Sequence, residues 1–210
     1  LSLDGSLVVT AGQTDEGLRL TTEGVAVARA VGDREILAIA LARHGWVLLY
    51  AGRVAEAAEV IAEASSIDDV SPETAALVAT WRGQLYSAMG DLHRRKLAMQ
   101  DAIDRYRAIG DLRRAAACEV NLADTFNRIG AYDEAEASLR AALESCRRVG
   151  NRVVEGYAQA NLGYALAGQE RLDEALAAFD AALEAARALD QPRLALAVRA
   201  YRARALLLRE

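Results

Sequence analysis

The chain has 210 residues, is 53% hydrophobic but only 5% aromatic, and carries a net charge of −5. That balance excludes a general nucleic-acid binder, which needs a basic footprint, and no apolar run approaches the roughly 18 residues of a membrane span. The two cysteines, Cys118 and Cys146, lack metal-ligand spacing and read as small hydrophobes of a reducing cytoplasm.

Alanine, leucine, glutamate and arginine dominate, with two prolines, a composition of helix formers. Taken in chain order, glycine and aspartate punctuate the sequence about every 20 residues: Gly12, Gly32-Asp33, Gly52, Gly90-Asp91, Gly110-Asp111, Gly130, Gly150-Asn151 and Asp190. A glycine just past a helix supplies a left-handed residue, and the Asp or Asn after it caps the next helix. Between these marks apolar residues recur with helical spacing, as in Leu176, Phe179, Leu183 and Ala186. The predicted units are hairpins over 1–31, 33–65, 72–109, 111–149 and 151–189, followed by a last helix over 191–208. Around Ser65 to Ser71 a helix is expected to end early, with Ser71 capping the next one and Pro72 at its first position. The whole is expected to be one domain, and the start at Leu1 points to a piece of a larger protein. Of the 25 basic residues only Lys96 is lysine, a bias that suggests a GC-rich, bacterial genome.

The strongest signal is a repeat. Asn121-Leu122, Asp133-Glu134-Ala135 and Leu139 to Glu144 return 40 residues later as Asn161-Leu162, Asp173-Glu174-Ala175 and Phe179 to Glu184. A fixed period of this size means stacked units that bury their apolar faces on one another. On the first helices a small column reads Gly5, Gly45, Gly83, Ala123, Gly163, and a large one reads Val8, Leu48, Tyr86, Phe126, Leu166. On the second helices the columns read Gly17, Ala57, Arg95, Ala135, Ala175, then Thr21, Ile61, Met99, Leu139, Phe179, then Gly24, Ala64, Ala102, Ala142, Ala182. Small and large positions alternate so that neighbouring helices interdigitate.

This pattern resembles the tetratricopeptide repeat, most closely over Asn161-Leu162-Gly163-Tyr164 with Asp173-Glu174-Ala175 and Phe179. The resemblance implies an all-α, right-handed superhelical solenoid of about five hairpins and a C-terminal capping helix. The period departs from the usual roughly 34 residues, as in kinesin light chains and bacterial signalling regulators. Leu41, Ala79, Glu119 and Gln159 stand where the family has an aromatic residue, and Arg95 interrupts an alanine column.

The resemblance also implies that the first helices line a concave face that holds a protein or peptide segment. That face would carry Arg43, Trp46, Tyr50, Trp81 and Gln84, then Asn121, Asp124, Asn127 and Arg128, then Tyr157, Asn161 and Tyr164, and finally Tyr201 and Arg204. Exposed Trp and Tyr beside Arg and Asn have the composition of a binding hot spot, and Asn offers both donor and acceptor to a peptide backbone. The lysine, asparagine and arginine of the family's carboxylate clamp are replaced by Ala42, Thr80, Val120 and Ala160, which argues against that mode. Arg193, Arg199, Arg202, Arg204 and Arg209 make the last helix basic; they are read as the polar outer face of a capping helix, with attraction of an acidic partner as the alternative.

No phosphate loop, nucleophile elbow or zinc-protease motif occurs, and His44 and His93 lie apart without ligand-spaced partners. The expectation is a cytoplasmic, non-enzymatic binding module without cofactor, metal or nucleic-acid partner. Self-association through the ends of the array, packing against a parent protein, and small-molecule sensing stand as the alternatives.

Overall fold

A computed structural model describes residues 13–207, so Gly5, Val8, Gly12 and the helix expected before Gly12 lie outside the described residues, as do Leu208, Arg209 and Glu210. The described residues form α1 (Thr14–Val31), α2 (Arg34–Tyr50), α3 (Val54–Ser65), α4 (Pro72–Met89), α5 (Leu92–Ala108), α6 (Leu112–Arg128), α7 (Tyr132–Arg148), α8 (Arg152–Gly168), α9 (Leu172–Ala188) and α10 (Pro192–Leu207), with no strand among them. They group into two compact units, one ending at Ile109 and one starting at Gly110.

Local chemistry sets the breaks. Gly32, Gly90 and Gly110 hold φ near 75°, and the aspartate after each caps a helix. Asp33 accepts from the Ile36 N–H at 3.0 Å, Asp91 from Arg94 at 2.9 Å and Asp111 from Arg114 at 3.0 Å. Each such cap stabilises its helix by about 1 kcal/mol.

In the unit of α1 to α5, large side chains of second helices rest on glycines of first helices. A Cβ built on Gly45 would meet Ile61 at 2.5 Å, and one on Gly83 would meet the Met99 side chain. Ile61 and Met99 are fully buried there, each contributing about 1.5–3 kcal/mol by leaving water. Arg95 is also buried, 2% exposed, where the other units place the buried Ala57, Ala135 and Ala175. The short α3 ends as expected, and a carboxylate from another helix replaces the usual turn. Glu35 of α2 accepts from the Ser71 N–H at 2.7 Å, the Ser71 hydroxyl at 2.6 Å and the Thr74 hydroxyl. Ser71 in turn accepts from the Thr74 N–H, so the start of α4 is tied to the first turn of α2.

The unit of α6 to α10 repeats the scheme. Phe179 of α9 lies 2.6 Å from the Cβ position of Gly163 on α8, and Leu194 of α10 lies 2.8 Å from that of Gly156. Leu139, Phe179, Leu194 and Val198 are fully buried members of one continuous core. At the α8–α9 turn Glu170 takes the left-handed position at φ 63°. Arg171 then bridges Glu136 of α7 at 2.6 Å and Glu174 of α9 at 2.7 Å. Burial opposes the charge on Glu136, but hydrogen bonds from Arg140, Arg171 and Gln169 hold its carboxyl below the ordinary range.

Candidate functional site

Two aromatic clusters gather sequence-selected residues, one in each unit, and the same register builds both. In the first, Trp46 of α2 lies 5.5 Å from Trp81 of α4 and 5.9 Å from Tyr50, ring centre to ring centre. In the second, Tyr164 of α8 lies 5.2 Å from Tyr201 of α10, edge to face. Trp46 and Tyr164 follow the small-column glycines Gly45 and Gly163 by one residue. Trp81 precedes Gly83 by two, and Tyr201 precedes Ala203 by two. Each pair therefore joins one first helix to the next, and offset aromatic contacts of this kind add about 0.5–1.5 kcal/mol beyond burial.

The first cluster is largely absorbed by the core. Trp81 packs against the apolar clusters around Leu41 and Leu48, and its indole N–H is buried without an acceptor among the described residues. Tyr50 remains exposed at the edge. Nearby, the His44 imidazole and the Thr21 hydroxyl share a hydrogen bond of 2.9 Å, and burial holds His44 below the usual histidine pKa, favouring the neutral ring.

The second cluster is concave. Tyr132, Tyr164, Ala167, Gly168, Phe179, Tyr201, Arg204 and Ala205 line a small cleft of about 40 Å³. A Cβ on Gly168 would run into the Tyr132 ring at 2.5 Å, so glycine there is what admits the ring. Tyr132 and Tyr164 stand 6.4 Å apart, and Phe179 lies 6.3 Å from Tyr201. The Arg204 guanidinium sits 5.8 Å over the Tyr164 ring and reaches its hydroxyl at 3.5 Å. Burial pushes the Tyr201 phenol up, with Asp124 and Tyr164 adding to the shift, so it stays a neutral donor. The cleft thus offers aromatic walls, phenol hydroxyls and one cation at its rim.

Tyr164, Tyr201 and Arg204 come together at the cleft, whereas Asn127 turns inward. Its amide N–H donates to the Asn161 carbonyl at 2.9 Å, and its side-chain oxygen is buried without a donor among the described residues. Asn127 therefore links α6 to α8 from inside the unit. Asn121 and Asn161 are half-buried, and Arg43 and Gln84 likewise. Arg128 and Tyr157 are exposed but do not line the cleft, and burial raises the Tyr157 phenol. Sequence reasoning missed Tyr132, Phe179 and Gly168 as cleft walls. The available signal was Gly168 itself, a glycine inside a helix where the preceding unit has Arg128.

Residues 114–188 match the model of the tetratricopeptide repeat family. The chain carries tetratricopeptide repeats. This repeat fold is shared, with a TM-score of 0.69, by the crystal structure of BtubC (BKLC) from P. vanneervenii, at 17% identity over 93% of this chain and 91% of that one. TTC0263, a thermophilic tetratricopeptide repeat protein of Thermus thermophilus, matches at 23% identity over 97% of this chain and 95% of that one, TM-score 0.63. A third match is PH0952 of Pyrococcus horikoshii, a signal transduction ATPase with numerous domains and a tetratricopeptide repeat sensor. It shares 19% identity over 99% of this chain and 33% of that one, with a TM-score of 0.71. No curated protein matches the sequence. Among the described residues no group of three or more His, Cys, Asp or Glu could hold a metal ion, and no helix is long and apolar enough to cross a membrane.

Proposed function

We propose that the repeats form a protein-recognition module that holds a segment of a partner against the first-helix faces. The observation that carries this reading is the Tyr132–Tyr164–Phe179–Tyr201 cleft with Arg204 at its rim. Concave aromatic walls beside arginine make the kind of pocket in which a few side chains supply most of the binding energy. Tyr50, exposed 5.9 Å from Trp46 at the edge of the half-buried Trp46–Trp81 pair, is the second anchor. We assign the module to a bacterial cytoplasmic protein, supported by the near-absence of lysine and by the buried thiols Cys118 and Cys146. Burial pushes the Cys146 thiol up to about 11, so it acts as a packing group and not as a nucleophile.

The test is affinity capture from a bacterial lysate by the wild-type repeats and by Tyr164→Ala and Tyr201→Ala variants, all checked for fold by circular dichroism. The captured segment is then titrated against each. Loss of about 2 kcal/mol on either substitution supports the cleft as the anchor; unchanged affinity in both variants sinks it.

A further inference from the structure

The polar lining of the Tyr132–Tyr164–Phe179–Tyr201 cleft is one-sided. It consists of three phenol hydroxyls and the Arg204 guanidinium, with no carboxylate and no side-chain amide. The Tyr164 hydroxyl accepts from Arg204 at 3.5 Å, which leaves its own proton to give. The Tyr132 and Tyr201 hydroxyls have no hydrogen-bond partner among the described residues. A guest therefore meets donors in excess, which carbonyl oxygens satisfy and backbone N–H groups do not.

Size and charge narrow the guest further. The cleft holds about 40 Å³, against roughly 10–15 Å³ for one water-sized group, so about three such groups fit. An indole, a phenyl ring or a leucyl side chain is too large to enter whole. The Arg204 guanidinium already sits 5.8 Å over the Tyr164 ring, which disfavours a second cation at that wall. What remains is a compact, uncharged apolar group flanked by carbonyl oxygens.

We propose that the partner segment anchors in this cleft through a proline held in an extended polyproline helix. The proposal rests on the reading of the cleft as the binding site for that segment. A pyrrolidine ring brings three methylenes, the number of groups the cleft can hold, and a flat face that lies against a tyrosine ring. Proline has no N–H, so it leaves no backbone donor to satisfy inside the cleft. The carbonyls on either side of the ring are not used within a polyproline helix and accept from the phenols and from Arg204. Such a helix is largely ordered before it binds, so little conformational freedom is lost on docking. A valine side chain also has three carbons, but it keeps the N–H and loses more backbone freedom when held extended.

The probe is acetyl-hexaproline amide, titrated into the isotope-labelled whole chain and followed by amide chemical shifts. Acetyl-hexa-alanine amide is the control, with the same length but with N–H groups and no rings. The expected result is saturable binding with shifts gathered around the cleft. Affinity should fall about tenfold for hexa-alanine and for Tyr164→Ala and Tyr201→Ala chains of normal circular dichroism. Tyr201→Phe keeps the ring, removes one donor and should weaken hexaproline about threefold, while Tyr50→Ala should leave it unchanged. The proposal is overturned by absence of saturable binding, by equal binding of hexa-alanine, or by equal binding to the Tyr164→Ala and wild-type chains. A captured partner segment that Tyr164→Ala weakens, with no binding of hexaproline, overturns the proline assignment and leaves the cleft as the site. A captured segment indifferent to both tyrosine-to-alanine changes overturns the reading of the cleft itself.

Discussion

The Trp46–Trp81 and Tyr164–Tyr201 pairs are built from the same two columns of the repeat, yet one is largely absorbed by the core and the other is the wall of a cleft. The difference lies in a third position, five residues after the small-column glycine. There the first cluster has Tyr50, stacked 5.9 Å from Trp46, and the second has Gly168, which leaves room for the Tyr132 ring from α7. A bulky residue at this position fills the space beside the pair; a missing Cβ lets a distant ring turn the pair into a pocket. Within this chain, whether aromatic residues of a repeat fill the core or wall a cleft depends on the small residues beside them.

Substitutions can break or sharpen that contrast. The largest effect is expected for Phe179→Ala, which removes both the ring resting on Gly163 and a wall of the cleft. It should cost about 3–5 kcal/mol in unfolding free energy, measured by urea denaturation; a cost below that of an ordinary surface substitution would show that the α8–α9 hairpin does not depend on this contact. Gly163→Leu should overpack the same hairpin by about 1–3 kcal/mol, and the melting temperature should fall further than in Gly83→Leu. The reason is that Gly83 meets the end of a flexible methionine and Gly163 a stiff ring.

Gly168→Ala should separate stability from recognition. The new methyl group displaces Tyr132, so partner affinity measured by calorimetry should drop about tenfold while stability changes by about 1 kcal/mol or less. The converse, full affinity with a large loss of stability, would mean that Tyr132 belongs to the core. The smallest effect concerns pH. Hydrogen bonds from Ser71 and Thr74 outweigh burial and hold the Glu35 carboxyl below its ordinary value. A depressed folded-state pKa means that its stabilisation is present above the unfolded value, about 4.3, and is lost as pH falls through the folded one. Glu35→Gln should therefore remove about 1 kcal/mol at neutral pH and flatten the loss of stability below about pH 4.3 in thermal melts at stepped pH; unchanged melts would show that the α2–α4 tie contributes nothing.

Much of the fold was legible because its determinants are local or periodic. Gly32-Asp33, Gly90-Asp91 and Gly110-Asp111 mark helix breaks through backbone conformation and capping, both readable over three or four residues. The pairing of Gly45, Gly83 and Gly163 with Ile61, Met99 and Phe179 was visible because a repeat of 40 residues, shortened to 38 between Gly45 and Gly83, aligns them in columns. Glu35 was not legible as a brace for α4, since its partners lie 36 and 39 residues away and no column repeats them. Asn127 looked like a groove residue until packing turned its amide onto the Asn161 carbonyl.

The sequence by itself therefore determined the helices, their breaks, the repeat and which faces are small or large, since these follow from backbone preference and apolar spacing. Only the tertiary structure decided that Trp81 would be largely buried and Tyr132 brought to a cleft, and that Asn127 would be spent inside the unit. Those outcomes depend on which atoms from separate helices compete for the same volume, and that competition is settled only when the helices pack.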